Sequence, residues 1–118
     1  MNPIWTVSGG KADIVYTVMV NVPAGATVLE QGILIGGNSY SSDPSALKLT
    51  ACDQKGTAVI RDNAHFMITL KSVKSGRVRN VRAYAKYELG GNTYTVYSNA
   101  AVRATVSNTA VATEAINF

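Results

Sequence analysis

The sequence predicts an all-β fold, a two-sheet antiparallel β-sandwich of 7–8 short strands. Three observations predict it. Runs rich in Val, Ile, Thr and Tyr recur along the 118 residues, separated by clusters of Gly, Asn, Asp, Ser and Pro. No stretch repeats apolar residues at i, i+3, i+4 and i+7 between a capping box and a C-terminal Gly, so the helix signal is missing. Hydrophobic residues make up 47% of the chain and charged residues 15%, against about 25% charged in ordinary soluble domains. That balance excludes a disordered chain and a long coiled coil, and the length supports one domain with one core.

In chain order the strand candidates are 4–8, 12–22, 27–36, 46–51, 64–72, 78–89, 92–98 and 100–106, with Thr57–Ile60 as a weaker piece. Trp5, the sole Trp, is expected to plug the core from the first strand. Ile14–Val22 sets Tyr16, Val18, Val20 and Val22 against Val15, Thr17 and Met19; apolar residues on both faces mark a central strand. Pro23-Ala24-Gly25 is a turn, and 38–45 is a polar loop of the kind that carries binding in sandwiches. His65–Val73 places Phe66, Ile68 and Leu70 on one face, opposite Met67, Thr69 and Lys71. In Val78–Leu89 the dry face is Val81, Ala83, Ala85, Tyr87 and Leu89, and the wet face is Arg82, Tyr84, Lys86 and Glu88. Gly90-Gly91-Asn92 closes a hairpin over 80–98. After Val106 the residues become small and unpatterned. Residues 1–107 therefore read as a single sandwich domain, and 108–118 as a last strand fraying into a C-terminal linker.

Chemistry-bearing residues are scarce. One Cys permits no intramolecular disulfide, and one His with seven acids leaves little material for metal or Cys/His sites. His65 lacks a nucleophile elbow, and Cys52 stands thirteen residues away in a different strand candidate. Asp53, Asp62 and Asn63 are expected to make turn hydrogen bonds, since no calcium-loop spacing is present. Gly36-Gly37-Asn38 lacks the Lys-Ser/Thr and the helix of a phosphate loop. The expectation is a non-enzyme with no cofactor and no metal. The start lacks a signal peptide and no run reaches the length of a membrane span, so the chain reads as cytosolic or as a fragment of a longer protein, with no membrane insertion.

One feature rises above this background. Between Asp62 and Glu88 there is no acid, while Lys71, Lys74, Arg77, Arg79, Arg82 and Lys86 add six positive charges. They form a candidate patch for an anionic partner such as an acidic cell-wall polysaccharide. The bland reading is a set of solvated lysines that discourage edge-to-edge pairing of sheets. Nucleic acid is disfavoured, because Tyr84 is a lone aromatic rather than a stacking series.

Val81-Arg82-Ala83-Tyr84-Ala85-Lys86-Tyr87, with the Gly-Gly-Asn turn and Thr95-Val96-Tyr97-Ser98, resembles a signature of fibronectin type III-like and Ig-like domains of bacterial surface or secreted proteins. Ala26–Gly36 resembles the strand that precedes it, and the two segments cover about 30 of the 118 residues. Arg79 stands where such domains commonly carry the tyrosine of a sandwich corner. The resemblance implies a non-catalytic structural or adhesive module of a larger extracellular or cell-surface protein, whose partners are neighbouring domains, another protein or an anionic glycan. Two alternatives share the fold. One is a carbohydrate-binding module stacking sugar on Tyr40, Tyr84, Tyr94 or Tyr97; the other is a decoration domain on a virion surface.

Overall fold

The computed structural model describes residues 3–59 and 65–118, so Asp62 and Asn63 lie outside the described residues. Nine strands occur among them: β1 (Ile4–Ser8), β2 (Lys11–Met19), β3 (Thr27–Gly36), β4 (Gln54–Thr57), β5 (His65–Lys74), β6 (Val78–Leu89), β7 (Asn92–Tyr97), β8 (Ala100–Val106) and β9 (Val111–Asn117). One antiparallel sheet has the order β1-β2-β5. The other has the order β4-β3-β6-β8-β9, with β7 pairing β6. The sheets face each other across a core built from the alternate residues of each, among them Ile14, Tyr16, Ile33, Phe66, Val81 and Val102. The chain is a β-sandwich, and no α-helix occurs among the described residues.

The β1–β2 and β6–β7 connections are two-residue hairpins, with Ser8 opposite Lys11 and Leu89 opposite Asn92. Gly9, Gly10, Gly90 and Gly91 all have positive φ, the conformation a primed turn needs at both central positions. β7 and β8 lie on the same side of β6 and act as one long interrupted strand. Tyr97 pairs with Tyr84 and Val102 with Val81, which leaves two surplus residues on the β7–β8 side. Ser98 patches that break: its Oγ accepts from the Ala83 amide at 3.2 Å and donates to the Ala100 carbonyl at 2.7 Å.

Several expectations are corrected here. Nine strands replace the expected seven or eight. Residues 46–51 form no strand; Lys48 and Ala51 exchange backbone hydrogen bonds across a tight turn, and Leu47 is buried beneath it. The strand in that neighbourhood is β4, which overlaps the weaker 57–60 candidate only at Thr57. Residues 108–118 contain β9, paired with β8 along its whole length from Val106–Val111 to Ala100–Asn117. Trp5 is not a core plug: it sits opposite Ile14 on an edge strand with 37% of its surface exposed.

The largest departure concerns β6. Its dry face is as expected, with Val81, Ala83, Ala85 and Tyr87 buried. Its other face is wet at Lys86 and Glu88, half-buried and exposed respectively, but covered at Arg82 and Tyr84. Residues 37–53, with short 3-10 turns at Asn38–Tyr40 and Pro44–Ala46, fold back over it and form a second cluster of Leu34, Leu47 and Tyr84. Gly36 makes this approach possible, since a Cβ there would lie 2.5 Å from the Tyr40 ring and 2.9 Å from Leu47.

Candidate functional site

The structure does not gather the six sequence-predicted cations into one patch. Lys74 and Arg77 are exposed on the β5–β6 turn, which the Arg77 amide closes by donating to the Lys74 carbonyl at 3.2 Å. Lys86 shares the outer face of β6 with Glu30, its neighbour across the ladder. Lys71 and Arg79 line a groove of about 310 Å³ between β4 and β5 together with Lys55, which the sequence reading did not single out.

Arg82 belongs to the frame. Its Nε donates to the Ser98 carbonyl at 2.9 Å, and a terminal nitrogen donates to the Ser45 and Leu47 carbonyls at 2.8 and 3.0 Å. The guanidinium lies 4.9 Å from the ring centroids of both Tyr97 and Phe118. One side chain therefore ties the 37–53 excursion, the β7–β8 break and the C-terminal residue to the sheet. Burial lowers its pKa from the ordinary arginine value, with Tyr97 and Asp43 acting in the opposite direction.

Arg103 and Asn80 repeat this device one strand away, and the sequence reading missed both. Arg103 donates to the Asn80 Oδ1 at 3.2 Å and to the Ser41 carbonyl, and faces Glu114 of β9 at 3.7 Å. Asn80, fully buried, donates to the Gly37 carbonyl and the Ser41 hydroxyl, both at 3.1 Å. A polar Asn between Val78 and Val81 was the available signal.

Of the four tyrosines, Tyr40, Tyr84 and Tyr97 meet in the second cluster, while Tyr94 lies apart on the other face of the sheet. Tyr84 is buried and its hydroxyl donates to Glu30, which also pairs with Lys55 at 3.1 Å. Those two bonds hold the Glu30 carboxyl below the ordinary carboxylate range, the Tyr84 bond contributing most, while burial and then Glu30 raise the Tyr84 phenol. The Tyr97 hydroxyl accepts from the Leu49 amide at 3.1 Å. Tyr40 packs half-buried on the second cluster. Tyr94 remains open, 45% exposed and stacked on Tyr87 with centroids 5.3 Å apart.

A hollow of about 520 Å³ at Val18–Asn21, Val96–Ser98 and Ala100–Val102 carries no charged side chain, whereas the groove between β4 and β5 gathers several. Each of these strands is the edge of its sheet, β4 of the larger and β5 of the smaller. Consecutive residues of both line it, Gln54–Gly56 from β4 and Ile68–Val73 from β5, so the groove is walled by strand edges rather than by strand faces. A bulge shapes the β5 wall: Ala12 pairs with Val73 and Ile14 with Leu70, which sets two residues against Asp13. Ser72 takes a φ of 56° there, and its amide donates to the Asp13 carboxylate at 2.9 Å. Arg79 enters the groove from β6. It pairs with the core residue Ala104 and shares the parity of Val81, so it points inward between the sheets.

Among the described residues no three His, Cys, Asp or Glu side chains come together as a metal site, and no helix is long and apolar enough to cross a membrane. His65 is exposed at the start of β5, and Cys52 lies half-buried against the second cluster. A comparison of the chain with known protein families, with curated proteins and with solved structures finds no match.

Proposed function

We propose that the chain is a non-catalytic structural and adhesive β-sandwich module, Ig-like or fibronectin type III-like, of a larger bacterial extracellular or cell-surface protein. The observation that carries this reading is how the reactive-looking side chains are used. Arg82, Arg103, Tyr84 and Tyr97 spend their polar atoms holding a loop and the C-terminal residue onto a sheet. The product is a stiff body 49 Å long, suited to spacing its neighbours and presenting its edges. The chain order supports the Ig-like reading as well. It changes sheet after β2, after β4 and after β5, and Ig-like sandwiches alternate between sheets in this manner.

Pulling on a tandem array of the module tests the mechanical role. One rupture per module, with 37–53 and 111–118 released together with the strands, is the expected result. Opening of 37–53 well before the sheets part would overturn the spacer reading. A carbohydrate-binding role would have to rest on Tyr94 and the half-buried Tyr40, because the rings and hydroxyls of Tyr84 and Tyr97 are already engaged.

A further inference from the structure

We infer that the groove between β4 and β5 binds an extended acidic polypeptide segment, with Arg79 as the residue that meets its carboxylate. The inference rests on the adhesive half of the reading above and is independent of the spacer half.

Arg79 carries the argument. Among the described residues it is the only charged side chain that the strand register places on an inward-facing row; the other inward positions of β2, β3, β5, β6 and β8 are apolar or neutral. It is half-buried, and its one hydrogen bond among the described residues goes to its own neighbour, the Val78 carbonyl, at 3.0 Å. A guanidinium has five N–H donors and no acceptor, so most of its capacity is unspent on the described residues in a partly desolvated place. Among the described residues no acid lines the groove, whose other charges are Lys55 and Lys71. Lys55 is already paired with Glu30, which leaves Arg79 and Lys71 facing the groove with no carboxylate.

The walls indicate what kind of anion fits. β4 and β5 are both sheet edges, and an edge offers an alternating row of N–H donors and C=O acceptors. A polypeptide strand matches that row with its own alternating C=O and N–H groups at the same spacing, which the irregularly placed hydroxyls and carboxylates of a polysaccharide do not. Side chains of an inserted strand alternate between two directions. One set would face inward, toward Arg79 and the half-buried Ile68 and Leu70, and the other would face outward, toward Lys71. The predicted ligand therefore combines acidic and aliphatic residues.

The test is fluorescence anisotropy of the whole chain with a labelled seven-residue peptide composed of glutamate and valine. Saturable binding that weakens with salt is expected, and a peptide with glutamine in place of glutamate should fail to bind. Arg79→Gln should weaken binding by at least about tenfold, as expected for loss of a charge-assisted hydrogen bond. Gln54→Glu supplies an internal carboxylate beside Arg79; it should abolish binding while leaving the melting temperature equal or higher, which covers the case in which Arg79→Gln does not fold. N-methylation of alternate peptide amides should also abolish binding. No binding up to 1 mM, equal binding by Gln54→Glu, or tolerance of N-methylation together with equal binding of heparin would overturn the inference. None of these outcomes alters the rupture pattern that tests the spacer role.

Discussion

Replacing Arg82 with alanine removes three hydrogen bonds from a charged donor and two cation–π contacts in one step. Hydrogen bonds to charged groups are each worth about 1.5–3 kcal/mol, and cation–π contacts at partly exposed sites about 0.5–1 kcal/mol. The lower ends of these ranges must be discounted, because the guanidinium is half-solvated and water can replace it at the carbonyls. The expected loss is about 3–4 kcal/mol, which at this chain length lowers the melting temperature by about 12–16 °C. Arg82→Lys keeps the charge but not the fork that reaches three carbonyls, so it should recover less than half of the loss. Thermal melts give the magnitude, and amide exchange gives the location: protection should fall most at 38–53 and 111–118, which Arg82 joins. A loss under about 1 kcal/mol, or unchanged protection of 38–53, would refute the view that Arg82 is the node of the fold.

Tyr16 is fully buried with no partner for its hydroxyl among the described residues, so Tyr16→Phe should stabilise the protein by up to about 1 kcal/mol in urea melts. Burial raises the Tyr16 phenol, and burial with the Glu30 bond raises Tyr84; the folded state therefore keeps both protons longer than the unfolded chain does, and stability should fall as pH rises past roughly 10, less steeply in Tyr16→Phe. Glu30 has the opposite sign: its lowered value stabilises the fold above the unfolded carboxylate pKa of roughly 4.3, and the advantage of the wild type over Glu30→Gln should disappear as pH falls below that range. A Cβ at Gly32 would lie 1.9 Å from the Gly56 carbonyl oxygen on the neighbouring strand, so Gly32→Ala should cost about 3 kcal/mol or more, read as a lower urea midpoint.

Periodicity found the strands whose two faces differ. β3, β6 and β8 begin and end where their alternation does, because each has an inner row that must be dry. It misread the outer row of β6. Arg82, Tyr84 and Lys86 alternate with apolar residues as a solvated face would, and nothing local shows that 37–53 will cover Arg82 and Tyr84. That covering depends on contacts 35–62 residues apart in sequence, such as Arg82 with Leu47 and Arg103 with Ser41. β9 was legible only as a last strand fraying into a linker, for a related reason: Ala112, Thr113, Glu114 and Ala115 are exposed, so no buried row leaves a pattern, and the strand is held by its ladder with β8, by the buried Val111 and by Phe118 just beyond it. The Ala46–Ala51 run carries real apolar residues, but they serve the second cluster by folding over it. The groove was half legible. Lys71 and Arg79 stood out as cations, whereas their junction with β4 is a product of sheet order alone.

The distribution of arginine and lysine explains why a basic stretch became part of the frame. A covered loop without a sheet ladder leaves carbonyls that need donors, and Gly37, Ser41, Ser45 and Leu47 are such carbonyls. Arginine meets that need better than lysine because one planar group reaches several acceptors at fixed angles. Arg82 and Arg103 each serve carbonyls from two or more segments, or a carbonyl and Asn80, while Lys11, Lys48 and Lys74 stay exposed at the periphery. Arg79 breaks that rule. It points inward between the sheets, whereas the two structural arginines lie on the outer face, and among the described residues it reaches no carbonyl beyond its own neighbour and has no carboxylate in its groove. If its role were to satisfy the frame, an internal acceptor would lie within its reach. The acceptor it lacks is then one that another polypeptide brings, and the two unpaired strand edges beside it are where such a polypeptide would be held.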